Sequence, residues 1–264
     1  MVIFKRKRKI HVRLIKHLRD IHRQLGMALA FFIIFLAITG MLINHGNSLQ
    51  LDKTKVSLNW LHDHYNISAP EHFDKYVITP KSDIVVAGKQ VWLDEQLLFI
   101  SQDKIISAGT WLQFIIVTTE NSMQLYNSAG ELVDVMDASA GLPQGIQKLA
   151  VQNSQVILHT QNGLYQSNDE LYSWQLTTNA DATAALYPKN NWFKAIAVTD
   201  LENQFYSHQY RSQILTWERV ILDIHSGRFF AGIGVLFMDL VAIFLILLSL
   251  TGIYIWVRQA RARR

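Results

Sequence analysis

Three histidines stand where long apolar runs of this chain begin or end. His22 precedes a run from Leu25 to Ile43, His45 follows it, and His225 precedes a second run from Ile233 to Val257. Neutral imidazole is a favoured axial ligand of haem iron, so rings at these boundaries point to redox chemistry at a membrane. On a straight helix His22 and His45 are 23 residues apart, roughly 34 Å at 1.5 Å per residue, and cannot share one iron. His45 and His225 fall at the same boundary and could be the two axial ligands of one b-type haem. His22 has no histidine counterpart on the second run. A symmetric dimer would bring two copies of it together, and a four-helix bundle built from two chains is a usual container for a core cofactor. The remaining histidines are less pointed. His62, His64 and His72 read as solvated, and His62 and His64, two apart, do not share a helix face. His159 falls within a strand pattern, and His208 has no assigned place.

Both apolar runs are long enough to cross about 30 Å of hydrocarbon as helices. Each carries a Thr-Gly pair, Thr39–Gly40 in the first and Thr251–Gly252 in the second. Small residues let helices approach closely and Thr can hydrogen-bond within or across them; a flat macrocycle beside a backbone would make the same demand. Asp239 lies about two turns into the second run, where an unpaired carboxylate costs on the order of 2.5–3.5 kcal/mol. It reads either as a wet, interfacial group or as a proton relay or ligand contact.

The charge pattern sets the expected orientation. Nine Lys and Arg precede the first run and four follow the second, whereas the middle holds 12 of the 25 basic residues against 19 of the 21 acids. Basic residues beside a span stay cytoplasmic, so both termini are expected inside and the middle exported. The basic tails imply contact with anionic lipid, not with nucleic acid. A cleaved leader is disfavoured, since nineteen apolar residues exceed the usual signal core and no Ala-x-Ala site follows. There is no cysteine, which excludes disulfides, thiolate metal sites, covalent c-type haem and cysteine nucleophiles.

The expected organisation is a basic amphipathic helix over residues 1–24, with His11, Ile15, Leu18 and His22 on one face. A transmembrane helix follows over 25–45, then a β-rich exported domain over 46–213. An amphipathic helix over 214–231, a second transmembrane helix over 232–257 and a basic tail over 258–264 complete it. Within the domain, LDKTKVSLNWLHDHYNI reads as one surface helix closing near Ile67. Beyond it, short Val, Ile, Leu and aromatic runs alternate with turn signals, with apolar centres near Val85, Ile116 and Ile157. That pattern suggests a meander or a small propeller-like array. The fold class expected is an α+β membrane protein, two transmembrane helices flanking a β-rich periplasmic domain, with a four-helix bundle in a homodimer.

Two stretches carry a resemblance. IHRQLGMALAFFIIFLAITGMLINH and DIHSGRFFAGIGVLFMDLVAIFLILLSLTGIYIWVR resemble the two helices of short members of the PepSY-associated transmembrane family. The motifs are His-Arg-x-x-Gly, Thr-Gly-x-x-x-Asn-His and Asp-x-His-Ser-Gly-Arg, in that order; the segment after His45 also fits, and the central β region carries no recognised motif. The resemblance implies b-type haem, transmembrane electron transfer and reduction of ferric iron or its chelates in the periplasm of a Gram-negative cell, in support of ferrous-iron uptake. It also implies His22, His45 and His225 as ligands and places Asp239 at a family acidic position. A typical member has Trp near Gln24, which this chain lacks.

The reading is therefore a haem-dependent ferric reductase of the inner membrane. The competing reading is a non-enzymatic, membrane-anchored binding module or transporter accessory subunit whose β domain is the working part. No Gly-rich dinucleotide motif occurs, which leaves quinol or a partner reductase as electron donor.

Overall fold

The computed structural model describes the backbone of residues 2–177 and 192–262, and side chains over 15–177 and 192–261. The chain divides into two compact units, one of residues 1–56 with 213–264 and one of residues 57–212.

The first unit is helical. Helix α1 (Val2–Asn44) is unbroken: no Pro interrupts it, so the amphipathic stretch and the first span are one rod and not two elements. The face expected to carry His11 lies outside the described side chains. Two segments, Ile15–Asn44 and Arg228–Arg261, have the length and composition of membrane spans. Their outward faces are apolar, with Met27 75%, Phe31 70%, Ile233 83% and Leu236 71% exposed. In water that would be untenable, and in hydrocarbon it costs nothing.

The second unit is three four-stranded antiparallel meanders. The first comprises β1 (Asp74–Thr79), β2 (Ser82–Ala87), β3 (Gln90–Leu93) and β4 (Gln96–Ile100). The second comprises β5 (Ile105–Trp111), β6 (Phe114–Thr119), β7 (Met123–Tyr126) and β8 (Leu132–Met136). The third comprises β9 (Ile146–Gln152), β10 (Gln155–Thr160), β11 (Gly163–Ser167) and β12 (Trp174–Leu176), and a short β13 (Ile196–Ala197) adds to the edge of the first beside β1. Asp94–Glu95 and Asn153–Ser154 take positive φ of 48–69° in two-residue hairpin loops, the primed geometry that matches strand twist. The apolar centres Val85, Ile116 and Ile157 fall on β2, β6 and β10, the second strand of each meander, and all are at most 1% exposed. Phe193 packs against both large core clusters. Its ring lies so close to Gly109 on β5 that no side chain fits there.

Helix α2 (Asn59–His64) and helix α3 (Asp200–Ser212) pack together. His208 Nδ1 lies 3.1 Å from Asn59 Oδ1, and Arg211 pairs with Asp63. The single helix expected from the segment after His45 is not formed; only Asn59–His64 is helical. Val56 N–H instead donates to Leu215 O at 2.9 Å, and Lys55 bridges Thr216, so the backbone there is held extended by a segment about 160 residues away in sequence. His62 is buried at 0% exposure, against the solvated place expected of it, because α2 turns that face inward beside Leu61. His64 and His72 are exposed.

Lys75 ties the first meander to α3. Its Nζ lies 2.8 Å from Asp83 Oδ2 and 2.7 Å from Glu202 Oε1. Hydrogen bonds from Lys75 first, then from the Thr199 backbone, hold the Glu202 carboxyl down to about 2, against an ordinary value of 4.5. A carboxyl depressed in the folded state adds stability that is fully present above its unfolded pKa and is lost as pH falls through the folded one. Urea midpoints followed by tryptophan fluorescence in detergent are therefore expected to drop between pH 4.5 and 2. Glu202→Gln should lower the neutral-pH midpoint and flatten that decline.

Candidate functional site

Helix α4 (Trp217–Ser226), a 3-10 turn at Arg228–Phe230 and helix α5 (Ala231–Ala262) bring the chain back along α1. Thr216 caps α4, its hydroxyl accepting the Arg219 N–H at 3.4 Å. The 45–56 segment pins the start of α4, since Trp217 and Glu218 N–H donate to Thr54 O and Leu51 O at 3.1 Å each. The buried Asp223 accepts from Arg219 Nε at 2.8 Å, two residues before His225 in the last turn of the helix. Asp223 opens the Asp-x-His-Ser-Gly-Arg motif; Arg219 carries no motif, and its i,i+4 spacing to Asp223 on a helix is the signal for the pair. Gly227 stops α4 in the left-handed conformation, with φ 78°.

Helices α1 and α5 run antiparallel. Leu29, Val241 and Leu248 form the seam, with Phe32 set edge-to-face on Phe237 at 5.2 Å. The sequence-predicted residues sort themselves at the two ends of this seam. His22 Nδ1 lies 2.9 Å from Thr251 Oγ1. At the other end His225 Nδ1 lies 2.7 Å from Thr39 Oγ1, and Thr39 is 8% exposed. The Thr-Gly pair of each span thus receives the histidine of the other. His22 and Thr39 are 17 residues apart on α1, so the two stations are separated by about 25 Å.

His45 stands apart. It is exposed, and its Nδ1 lies 2.9 Å from Met41 O on its own helix; no hydrogen bond or ring contact joins it to His225 among the described residues. Asp239 is exposed on the face of α5 opposite Val241 and has no partner among the described residues. No cluster of three or more His, Cys, Asp or Glu suited to a metal ion occurs among the described residues.

In His22, His45 and His225 alike, Nδ1 is engaged and Nε2 has no hydrogen-bond partner among the described residues. A histidine ligand needs one ring nitrogen free for iron, and its other nitrogen is almost always tethered in this way. The donors therefore fit the group. The apolar cavity beside α4, lined by Phe31, Phe32, Phe35, Phe230, Phe237 and Met238, holds about 180 Å³, short of the ~300–1,000 Å³ of ordinary small-molecule sites.

An antiparallel pair of spans with a histidine at each end, flanking a β-rich domain in sequence, defines an α+β membrane protein. The chain belongs to the family described as PepSY-associated TM region, whose model matches residues 1–259. No curated protein matches it. Among solved structures it is similar to the extracellular domain of BT4673 from B. thetaiotaomicron at 15% identity and TM-score 0.34, over 46% of this chain and 17% of that one. A second likeness is to HIRA(644-1017), at 14% identity and TM-score 0.25, over 62% of each chain. A third is to PorZ of Porphyromonas gingivalis, at 10% identity and TM-score 0.23, over 50% of this chain and 23% of that one. Likenesses at these scores carry no argument about function.

Proposed function

We propose that this protein is a ferric reductase of the Gram-negative inner membrane, holding b-type haem on His22 and His225 and passing electrons outward to ferric iron or a ferric chelate, in support of ferrous-iron uptake. The carrying observation is the pair of stations at opposite ends of the span seam, each offering one imidazole with Nε2 unengaged. Bound haem would supply one-electron transfer, which needs no nucleophile or general base from the protein. The chain's own residues then have plain duties. Thr39 and Thr251 hold the rings, the Phe side chains beside α4 exclude water, and Leu29, Val241 and Leu248 fix the spacing of the helices. His45 is the further candidate ligand at the outer station.

The same reading extends to a homodimer. One chain offers one tethered ring at the inner station and a cavity too small for a porphyrin, and a second copy would supply both the missing imidazole and the missing wall. The outward carboxyl of Asp239 at membrane depth favours protein over lipid on that face of α5. The basic tails favour cytoplasmic termini, a periplasmic β domain and contact with anionic lipid. The electron donor is then quinol or a partner reductase.

The test is an absorption spectrum of detergent-purified protein from haem-replete cells, with a pyridine-haemochrome count per chain. A haem spectrum that shifts on dithionite and reverts on adding ferric citrate is the expected result. A colourless preparation overturns the proposal.

A further inference from the structure

Thr39 and Thr251 do more than touch the two rings. Thr251 Oγ1 lies 2.8 Å from Leu247 O and 3.0 Å from Leu248 O. Thr39 Oγ1 lies 2.9 Å from Phe35 O and 3.3 Å from Leu36 O. At its shorter contact, 2.8 or 2.9 Å, each hydroxyl donates to the carbonyl, which has no hydrogen to give. Each hydroxyl hydrogen is therefore committed to its own helix, one turn back. A hydroxyl has a single hydrogen, so the oxygen has only lone pairs left for the histidine. The hydrogen in the His22–Thr251 and His225–Thr39 bonds must then sit on Nδ1, which leaves Nε2 as a bare lone pair.

We propose that Thr39 and Thr251 are positioning residues that fix His225 and His22 in the Nδ1–H form, so that each ring presents Nε2 as a neutral ligand before any iron arrives. The same device is built twice, with helix and partner exchanged. His45 reaches the same state by another route, because Met41 O can only accept. The glycine after each threonine lies beside the ring. A side chain at Gly252 would come within 3.2 Å of His22 Cε1, and one at Gly40 within 3.6 Å of His225 Cε1. The first distance forces the ring to give way, whereas the second is ordinary contact. The proposal rests on the haem reading only for the identity of the metal.

The experiment uses full-length protein in nanodiscs, labelled with 15N-histidine and prepared without haem. Nitrogen shifts at a pH where imidazole is neutral report which ring nitrogen carries hydrogen, and haemin titration gives affinity separately. His22 and His225 are expected in the Nδ1–H form in the unmodified protein. Thr39→Val should release His225 alone and Thr251→Val His22 alone, each lowering haemin affinity at its station by about ten- to a hundredfold, the usual effect of removing a ligand's outer hydrogen bond. Serine at either position should restore both readouts. Gly252→Ala should disturb His22, whereas Gly40→Ala should leave His225 in place. Rings in the Nε2–H form in the unmodified protein overturn the proposal whether or not the valine variants fold, and so do valine variants whose rings keep the Nδ1–H form. Rings that obey the threonines in a protein that never takes up haemin would sink the haem reading and leave this one standing.

Discussion

His225→Ala and His22→Ala are each expected to cut bound haem by about half per chain and ferric reduction roughly tenfold or more, with the double variant colourless. The stations are about 25 Å apart along α1, so one should survive loss of the other, while a path that uses both fails when either is broken. The fold should tolerate both changes. When His225 is truncated, the Thr39 hydroxyl keeps its bond to Phe35 O at 2.9 Å, and when His22 is truncated, Thr251 keeps Leu247 O at 2.8 Å. No buried donor is orphaned, so the loss is one hydrogen bond of about 1 kcal/mol and not a desolvation penalty. A thermal midpoint near that of the parent, together with lost pigment, separates a ligand role from a structural one. His45→Ala, acting at an exposed ring bonded to its own helix, should have the smaller effect. Unchanged haem in both the His22 and His225 variants would refute the assignment.

The sequence was most legible where a single physical rule acts locally. Span length, basic flanks and boundary histidines are properties of contiguous segments, and they led to both membrane helices. Apolar centres at Val85, Ile116 and Ile157 read correctly as repeating strand units because each meander is closed by tight turns between neighbours in sequence. Failures came where distant segments decide. The extended backbone at Lys55–Val56 is imposed by Leu215 and Thr216, and a helical pattern from Leu51 to Ile67 could not register that competition. The burial of His62 depends on tertiary packing around α2, which its sequence neighbours do not encode. The pairing of each histidine with the other span's Thr-Gly is likewise nonlocal. The repeated Thr-Gly is visible, but it points first to helix packing and otherwise to room for a flat macrocycle, not to a support for histidine, and only the antiparallel register assigns Thr251 to His22. Residues 178–191 lie outside the described structure.

Gly227→Ala is expected to be among the most damaging single substitutions in the helical unit, costing roughly 2–5 kcal/mol from two additive sources. The first is conformational: φ is 78°, a left-handed value that glycine adopts freely and alanine adopts at a cost of order 1–2 kcal/mol. The second is steric. A Cβ there would run into Gly234 O, with Gly234 C at 2.7 Å and Met238 Cγ at 2.6 Å. Met238 could swing aside, but the Gly234 backbone is the first turn of α5 and cannot move without shifting the helix. Gly234 is constrained reciprocally, because a side chain on it would strike Gly227 O and Phe230 Cβ. The two glycines together let α4 turn sharply into α5, and that turn sets His225 against Thr39. Displacing α5 should therefore lower the thermal midpoint and loosen the His225–Thr39 bond together, so haem at the outer station falls even though no ligand was touched. Gly232→Ala is the matched control: it lies in the same turn, has nothing within 4 Å of an added Cβ and lacks a left-handed φ. Equal midpoints for the Gly227 and Gly232 variants in detergent would show that the close approach does not govern this corner.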